Sequence, residues 1–203
     1  MAASIIRGFL SILGSKISSL FLGLLITPIL VRLLGSSQYG NYAFLLSVLS
    51  ISMIVVNAGI FDGTRKYIAE NREDRTWIKH VFVYYFRLSL VLAVFGALVF
   101  VIFSWSDLSD NYLDNEFQIY FYLLSILLIS RQMYSLARGS LMGLGLENRS
   151  EPLVVVKKLI FTVLGLSLVY IGYGIVGVLI GHILSTLIVS VFAYTILFRH
   201  ISY

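Results

Sequence analysis

His80–Phe103 reads HVFVYYFRLSLVLAVFGALVFVIF, a run in which Arg87 is the only Lys, Arg, Asp or Glu. A helix that crosses a bilayer needs roughly 20 consecutive, mostly apolar residues, each rising 1.5 Å. This stretch meets that length, and its apolar residues are continuous rather than alternating at period two, which argues against a membrane β-barrel. Five more stretches read the same way. The six candidate spans cover about 8–31, 41–61, 80–103, 117–138, 153–172 and 175–198. The composition agrees: 59% of the 203 residues are apolar and 12% charged, against about 45–50% and about 25% in soluble domains. A mean hydropathy of +0.93 excludes both a soluble core and a disordered chain. With no cysteine there is no disulfide framework and no thiolate metal site. The reading is an all-α integral membrane bundle of six transmembrane helices in a single unit, residues 1–203.

The connections divide by charge. Arg65, Lys66, Arg72, Arg75 and Lys79 follow the second span; Arg138, Arg149, Lys157 and Lys158 flank the connection from the fourth to the fifth. Arg7 precedes the first span and Arg199 follows the sixth. Ser104–Glu116 instead holds Asp107, Asp110, Asp114 and Glu116 without a Lys or Arg, and only Arg32 breaks the pattern. The positive-inside rule then places both termini in the cytoplasm, in the cell membrane. The net charge of +5 is thereby accounted for as topology, and a nucleic-acid partner is not expected. The first span is too long for a cleaved signal peptide and ends without a small-x-small site, so it reads as a retained helix. Trp105 and Tyr112 suit an interfacial belt.

Three cations on three different spans reach a common level. From the cytoplasmic ends, Lys16 lies ~12 Å in from Gly8, Arg87 ~10 Å in from His80, and Arg131 ~10 Å in from Arg138, at 1.5 Å per residue. A charge at depth costs at least ~2.5–3.5 kcal/mol on insertion scales and needs water, a partner or a ligand. All ten acids read as loop or span-edge residues, so these cations are expected to have no carboxylate beside them. Two readings follow. One is a shared cavity for an anion, with guanidinium groups matched to phosphate oxygens. The other is snorkelling of each side chain to the interface.

Polar stripes accompany the cations. Lys16, Ser19, Gly23 and Thr27 share one face of the first span; Ser47, Ser50 and Asn57 share one of the second; Arg131, Tyr134, Ser135 and Arg138 share one of the fourth. Such stripes line water or let helices pack closely. Gly177 and Gly181 form a GxxxG that reads as helix packing, and Gly139 and Gly143 form another that also suits a helix end. Pro28 is expected to bend the end of the first span. The candidate substrate contacts are Lys16, Arg87, Arg131, Asn57 and Arg138. Enzymatic readings find little: His80, His182 and His200 lack ligand spacing, and there is no paired carboxylate, nucleophile elbow or phosphate loop. No cofactor or metal is expected. Asn148-Arg149-Ser150 is a formal glycosylation sequon on the expected cytoplasmic side.

Several motifs resemble one family. Thr27-Pro28-Ile29-Leu30-Val31-Arg32-Leu33-Leu34-Gly35-Ser36-Ser37-Gln38-Tyr39-Gly40-Asn41-Tyr42 is similar to the first inter-helix motif of polysaccharide flippases, on the Wzx-like branch of the multidrug/oligosaccharidyl-lipid/polysaccharide exporter superfamily. Residues 57–70, NAGIFDGTRKYIAE, resemble the end of that family's second helix. Residues 138–147, RGSLMGLGLE, resemble the fourth-helix exit, and 173–177, YGIVG, the start of the sixth. The resemblance extends over nearly the whole chain. It implies a flippase for a lipid-linked oligosaccharide on a polyprenyl phosphate or pyrophosphate, built as two six-helix lobes around a hydrated cationic cavity. Six spans match one lobe, so the expectation is a half or truncated transporter that pairs with a second lobe or with its own copy among the membrane lipids. The alternative is a non-transporting subunit or inactive remnant. Export of cationic drugs would call for acids within the membrane, and the sequence places none there.

Overall fold

The computed structural model describes residues 2–105 and 116–201, with side chains over 10–105 and 118–201. Every regular element among them is helical: α1 (Ala2–Asn57), α2 (Ile60–Glu70), α3 (Arg75–Ser104), α4 (Glu116–Gly143), α5 (Glu147–Leu168) and α6 (Gly174–Ile201). A π-helical segment, Val169–Tyr173, joins the last two. Four stretches are long and apolar enough to cross a membrane: Leu10–Glu70, Arg75–Ser104, Gln118–Gly143 and Glu147–Ile201. The acidic loop and Tyr112 lie largely outside the described residues, as does the side chain of Arg7.

Two of the four stretches hide breaks. α1 passes through Pro28 but is interrupted at Gly35, whose φ of 77° and ψ of 166° are not helical. Glycine is suited there because a Cβ at positive φ clashes with its own backbone. The second break falls at Gly172 (φ 104°) and Gly174 (φ 52°), in the turn the sequence marks as Gly-Tyr-Gly.

Cross-helix neighbours give the chain direction on each side of these breaks. Phe161 stacks on His182, ring centroids 3.8 Å apart, and a Cβ on Gly181 would lie 2.6 Å from Gly165 Cα. Numbers that fall on α5 as they rise on α6 make the two helices antiparallel. Ser15 and Ser19 lie against Glu151 and Lys158 of α5, so the first half of α1 runs parallel to α5. Gln38 lies against Gly174 and Tyr42 against His182, so the second half runs parallel to α6. The two halves of α1 therefore run in opposite directions.

The third hairpin is α3 with α4, where Phe103 packs on Phe121 and Gly96 sits against Leu128. Asp74 caps α3 by accepting hydrogen bonds from Thr76 N (2.8 Å) and Trp77 N (3.1 Å).

α2 corrects the sequence reading, which treats the residues after Phe61 as a connection. Ala58 (φ 39°) and Gly59 (φ 76°) end α1, and a further helix of 11 residues follows. It buries Ile60, Thr64 and Ile68 at four-residue spacing, while Arg65 and Lys66 stay exposed. Its seat on α4 depends on two glycines: a Cβ on Gly139 would meet Phe61 O at 2.8 Å, and one on Gly143 would meet Ile68 Cβ at 2.8 Å. That GxxxG is thus both a packing face and a helix end, since α4 stops at Gly143.

Buried side chains form two clusters, one around Leu45, Leu124, Leu128 and Leu179, the other around Ile60, Ile68, Leu136, Leu141 and Leu197. Outward-facing residues such as Leu24 (74% exposed), Ile54 (75%) and Ile102 (67%) remain apolar, as a lipid-facing surface requires.

Candidate functional site

The two halves of α1 do not close completely against α4, α5 and α6. Between them lies a cleft of about 380 Å³ lined by Ser19, Gly23, Thr27, Tyr39, Tyr42, Arg131, Lys157, Lys158, Phe161 and His182, among others. Three of its lining side chains are cations and none is an acid.

Each cation has a defined seat. Arg131 is half-buried on α4 and reaches the cleft from the side of the core. One turn on, the Tyr134 ring lies under Lys157 Nζ, 4.3 Å from ring centroid to nitrogen, a cation–π contact. Lys158 Nζ donates to the Ser19 carbonyl oxygen of α1. Gly23 makes room for it, since a Cβ there would lie 2.8 Å from Lys158 Nζ. Across the cleft, Tyr42 Oη and His182 Nε2 share a hydrogen bond of 2.9 Å, joining the second half of α1 to α6. Phe161 stacks on the other side of that imidazole, at an interplanar angle of 10°. His182 is therefore held by partners on two helices.

The five sequence candidates separate. Arg131 lines the cleft. Lys16 is exposed and is not in the lining, although Ser19, Gly23 and Thr27 of its stripe are. Arg87 is exposed on α3 in a different groove. Asn57 ends α1, half-buried, with Oδ1 lacking a hydrogen-bond partner among the described residues. Arg138 is committed elsewhere: its Nη2 and Nε donate to Glu151 Oε1 at 2.5 and 3.2 Å, and its guanidinium lies 5.3 Å from the Phe61 ring centroid.

That ion pair leaves the expectation for Lys16, Arg87 and Arg131 untouched, but it corrects the reading of Glu151 as a loop or span-edge acid. Glu151 is 1% exposed. The sequence reading begins the fifth span at Leu153; α5 begins at Glu147, so Glu151 falls inside the packed helix. Its backbone carbonyl also accepts from Ser15 Oγ at 2.7 Å. Ser47 and Ser50 bond carbonyls four residues back on their own helix and leave the cleft to others.

Sequence reasoning passes over Lys157 and Lys158 by treating them as flanks of a connection. Counted from Glu147, Lys157 lies ~15 Å along α5 at 1.5 Å per residue, well inside the helix rather than at its edge. The signal was present, but it depended on where the helix starts.

Compared with known proteins, the sequence matches the family described as polysaccharide biosynthesis protein over residues 5–202. No curated protein and no solved structure matches it.

Proposed function

Because the chain belongs to the polysaccharide biosynthesis protein family, a multi-pass membrane family, we propose that it is a transporter rather than an enzyme and translocates a lipid-linked oligosaccharide or polysaccharide precursor across the cell membrane. The observation that carries this is the cleft: Arg131, Lys157 and Lys158 converge there without an acidic side chain in the lining. Converging cations without counter-charge favour a polyanion, and guanidinium and ammonium donors suit phosphate oxygens. A polyprenyl phosphate or pyrophosphate supplies that charge while its chain stays in the bilayer.

The reversals at Gly35 and at Gly172–Gly174 support six crossings. Arg65, Arg72, Glu147, Arg149 and His200 gather at one end of the bundle, where Arg72 lies against Gly145 and Arg149 Nη1 is 3.2 Å from His200 Nε2. Taking that basic end as cytoplasmic places both termini inside.

Transport by alternating access needs one bundle to rock against another across the bound substrate. The facing wall in this reading is a second six-helix lobe or a second copy. Proteoliposomes carrying the chain alone or with a second six-helix bundle, loaded with a fluorescent polyprenyl pyrophosphate glycan, test it. Outer-leaflet quenching should report flipping only with the second bundle, reduced at least about tenfold by Arg131→Gln with Lys157→Gln, the loss of charge-assisted hydrogen bonds. Undiminished flipping by that double variant would refute the cleft, and flipping by a monomeric chain would refute the need for a facing wall.

A further inference from the structure

His80, Tyr84, Arg87 and Val91 stand at i, i+4, i+7 and i+11 on α3, a single outer stripe. With Val83 and Leu88 they form a groove of about 500 Å³ on the surface of the bundle, separate from the cationic cleft. Arg87 is exposed there, roughly 10 Å along the helix from His80 at 1.5 Å per residue, and has no ion pair or hydrogen bond among the described residues. α3 contains no Asp or Glu from Arg75 to Ser104. His80 is held in place, its Nδ1 2.8 Å from the Thr76 carbonyl oxygen.

We propose that this groove seats an acidic phospholipid of the bilayer, with its phosphate on Arg87 and the Tyr84 hydroxyl and an acyl chain along Leu88 and Val91. Charge complementarity selects the occupant. A guanidinium on a membrane-facing helix needs an anion or water. The phosphates of the adjoining leaflet are anions that also bring a chain for the apolar part of the groove. The guanidinium fork engages phosphate oxygens in pairs, which an ammonium does not. The stripe is polar toward the start of α3 and apolar beyond Arg87, in the order head group then chain.

The test uses the purified chain in neutral detergent, titrated with dioctanoyl phosphatidylglycerol, dioctanoyl phosphatidylcholine or inorganic phosphate, with bound lipid read by native mass spectrometry. Phosphatidylglycerol should bind in preference to phosphatidylcholine, and Arg87→Gln should weaken it about tenfold, the scale of a hydrogen bond to a charged group. Arg87→Lys should retain part of the affinity, and Lys16→Gln, an exposed cation in neither groove nor cleft, should leave it unchanged. Arg87 is exposed, so its variants should melt with the parent in the absence of lipid. Equal binding by Arg87→Gln would overturn the proposal and return Arg87 to simple snorkelling. Inorganic phosphate competing at the same concentration would overturn it in favour of a soluble anion. Loss in Arg131→Gln alone would overturn it by moving the lipid into the cleft, an outcome that leaves the transport reading standing.

Discussion

Glu151 and Arg138 form an ion pair whose members differ in burial, and that asymmetry has a measurable consequence. The Glu151 side chain is 2% exposed and that of Arg138 30%. Arg138→Met strands a carboxylate within the packed helices, which places it toward the ~3–5 kcal/mol range for removing one partner of a buried pair. Glu151→Gln leaves a guanidinium that can turn to water and still lies 5.3 Å from the Phe61 ring centroid. Its cost should be about 1.5–3 kcal/mol, the scale of a hydrogen bond to a charged group. The double variant removes both charges, so it should cost less than the sum of the singles by about 0.5–3 kcal/mol of coupling. Reversible unfolding in mixed detergent micelles measures all three free energies. Equal costs for the two single variants, or strict additivity in the double, would refute the reasoning.

Gly181→Ala would place a Cβ 2.6 Å from Gly165 Cα, a backbone atom that cannot turn aside. It should destabilise the hairpin by about 1–3 kcal/mol, as overpacking does, whereas Gly14→Ala meets nothing within 4 Å and should be neutral or stabilising in the same assay. Single cysteines at Arg72 and Asp110 should label from opposite sides of the membrane, with position 110 reached by an impermeant reagent in intact cells. Labelling of position 72 instead would reverse the orientation.

How much of this the sequence carries depends on the kind of signal. The long apolar runs give the helices, and Gly172-Tyr173-Gly174 gives the reversal between α5 and α6, because both are encoded by local residue type. The reversal in α1 falls at Gly35, between the first two expected spans, while the helix continues through Pro28. α2 is hidden because it buries only Ile60, Thr64 and Ile68 among charged neighbours, and that pattern is short beside the flanking spans. The site is less legible. Depth along a helix selects Lys16, Arg87 and Arg131 together, but depth carries no direction around the axis, and only Arg131 turns toward the cleft. Lys157 and Lys158 are passed over as flanks of a connection, and a helix start placed at Leu153 leaves out Glu151 and with it the pairing with Arg138. A shift of one or two turns in a boundary exchanges loop charges for buried ones.

The central claim is that Arg131, Lys157 and Lys158 hold the phosphate of a lipid-linked glycan in one cleft. Equilibrium binding of a short-chain polyprenyl pyrophosphate disaccharide to the purified chain tests it most directly, with the uncharged polyprenyl alcohol as comparison. The account predicts saturable binding of the pyrophosphate, at least about tenfold weaker in Arg131→Gln and in Lys157→Gln, as loss of a charge-assisted hydrogen bond implies, and unchanged in Lys16→Gln. Equal affinity for the alcohol and the pyrophosphate, or equal binding by the Arg131 and Lys157 variants, would contradict it.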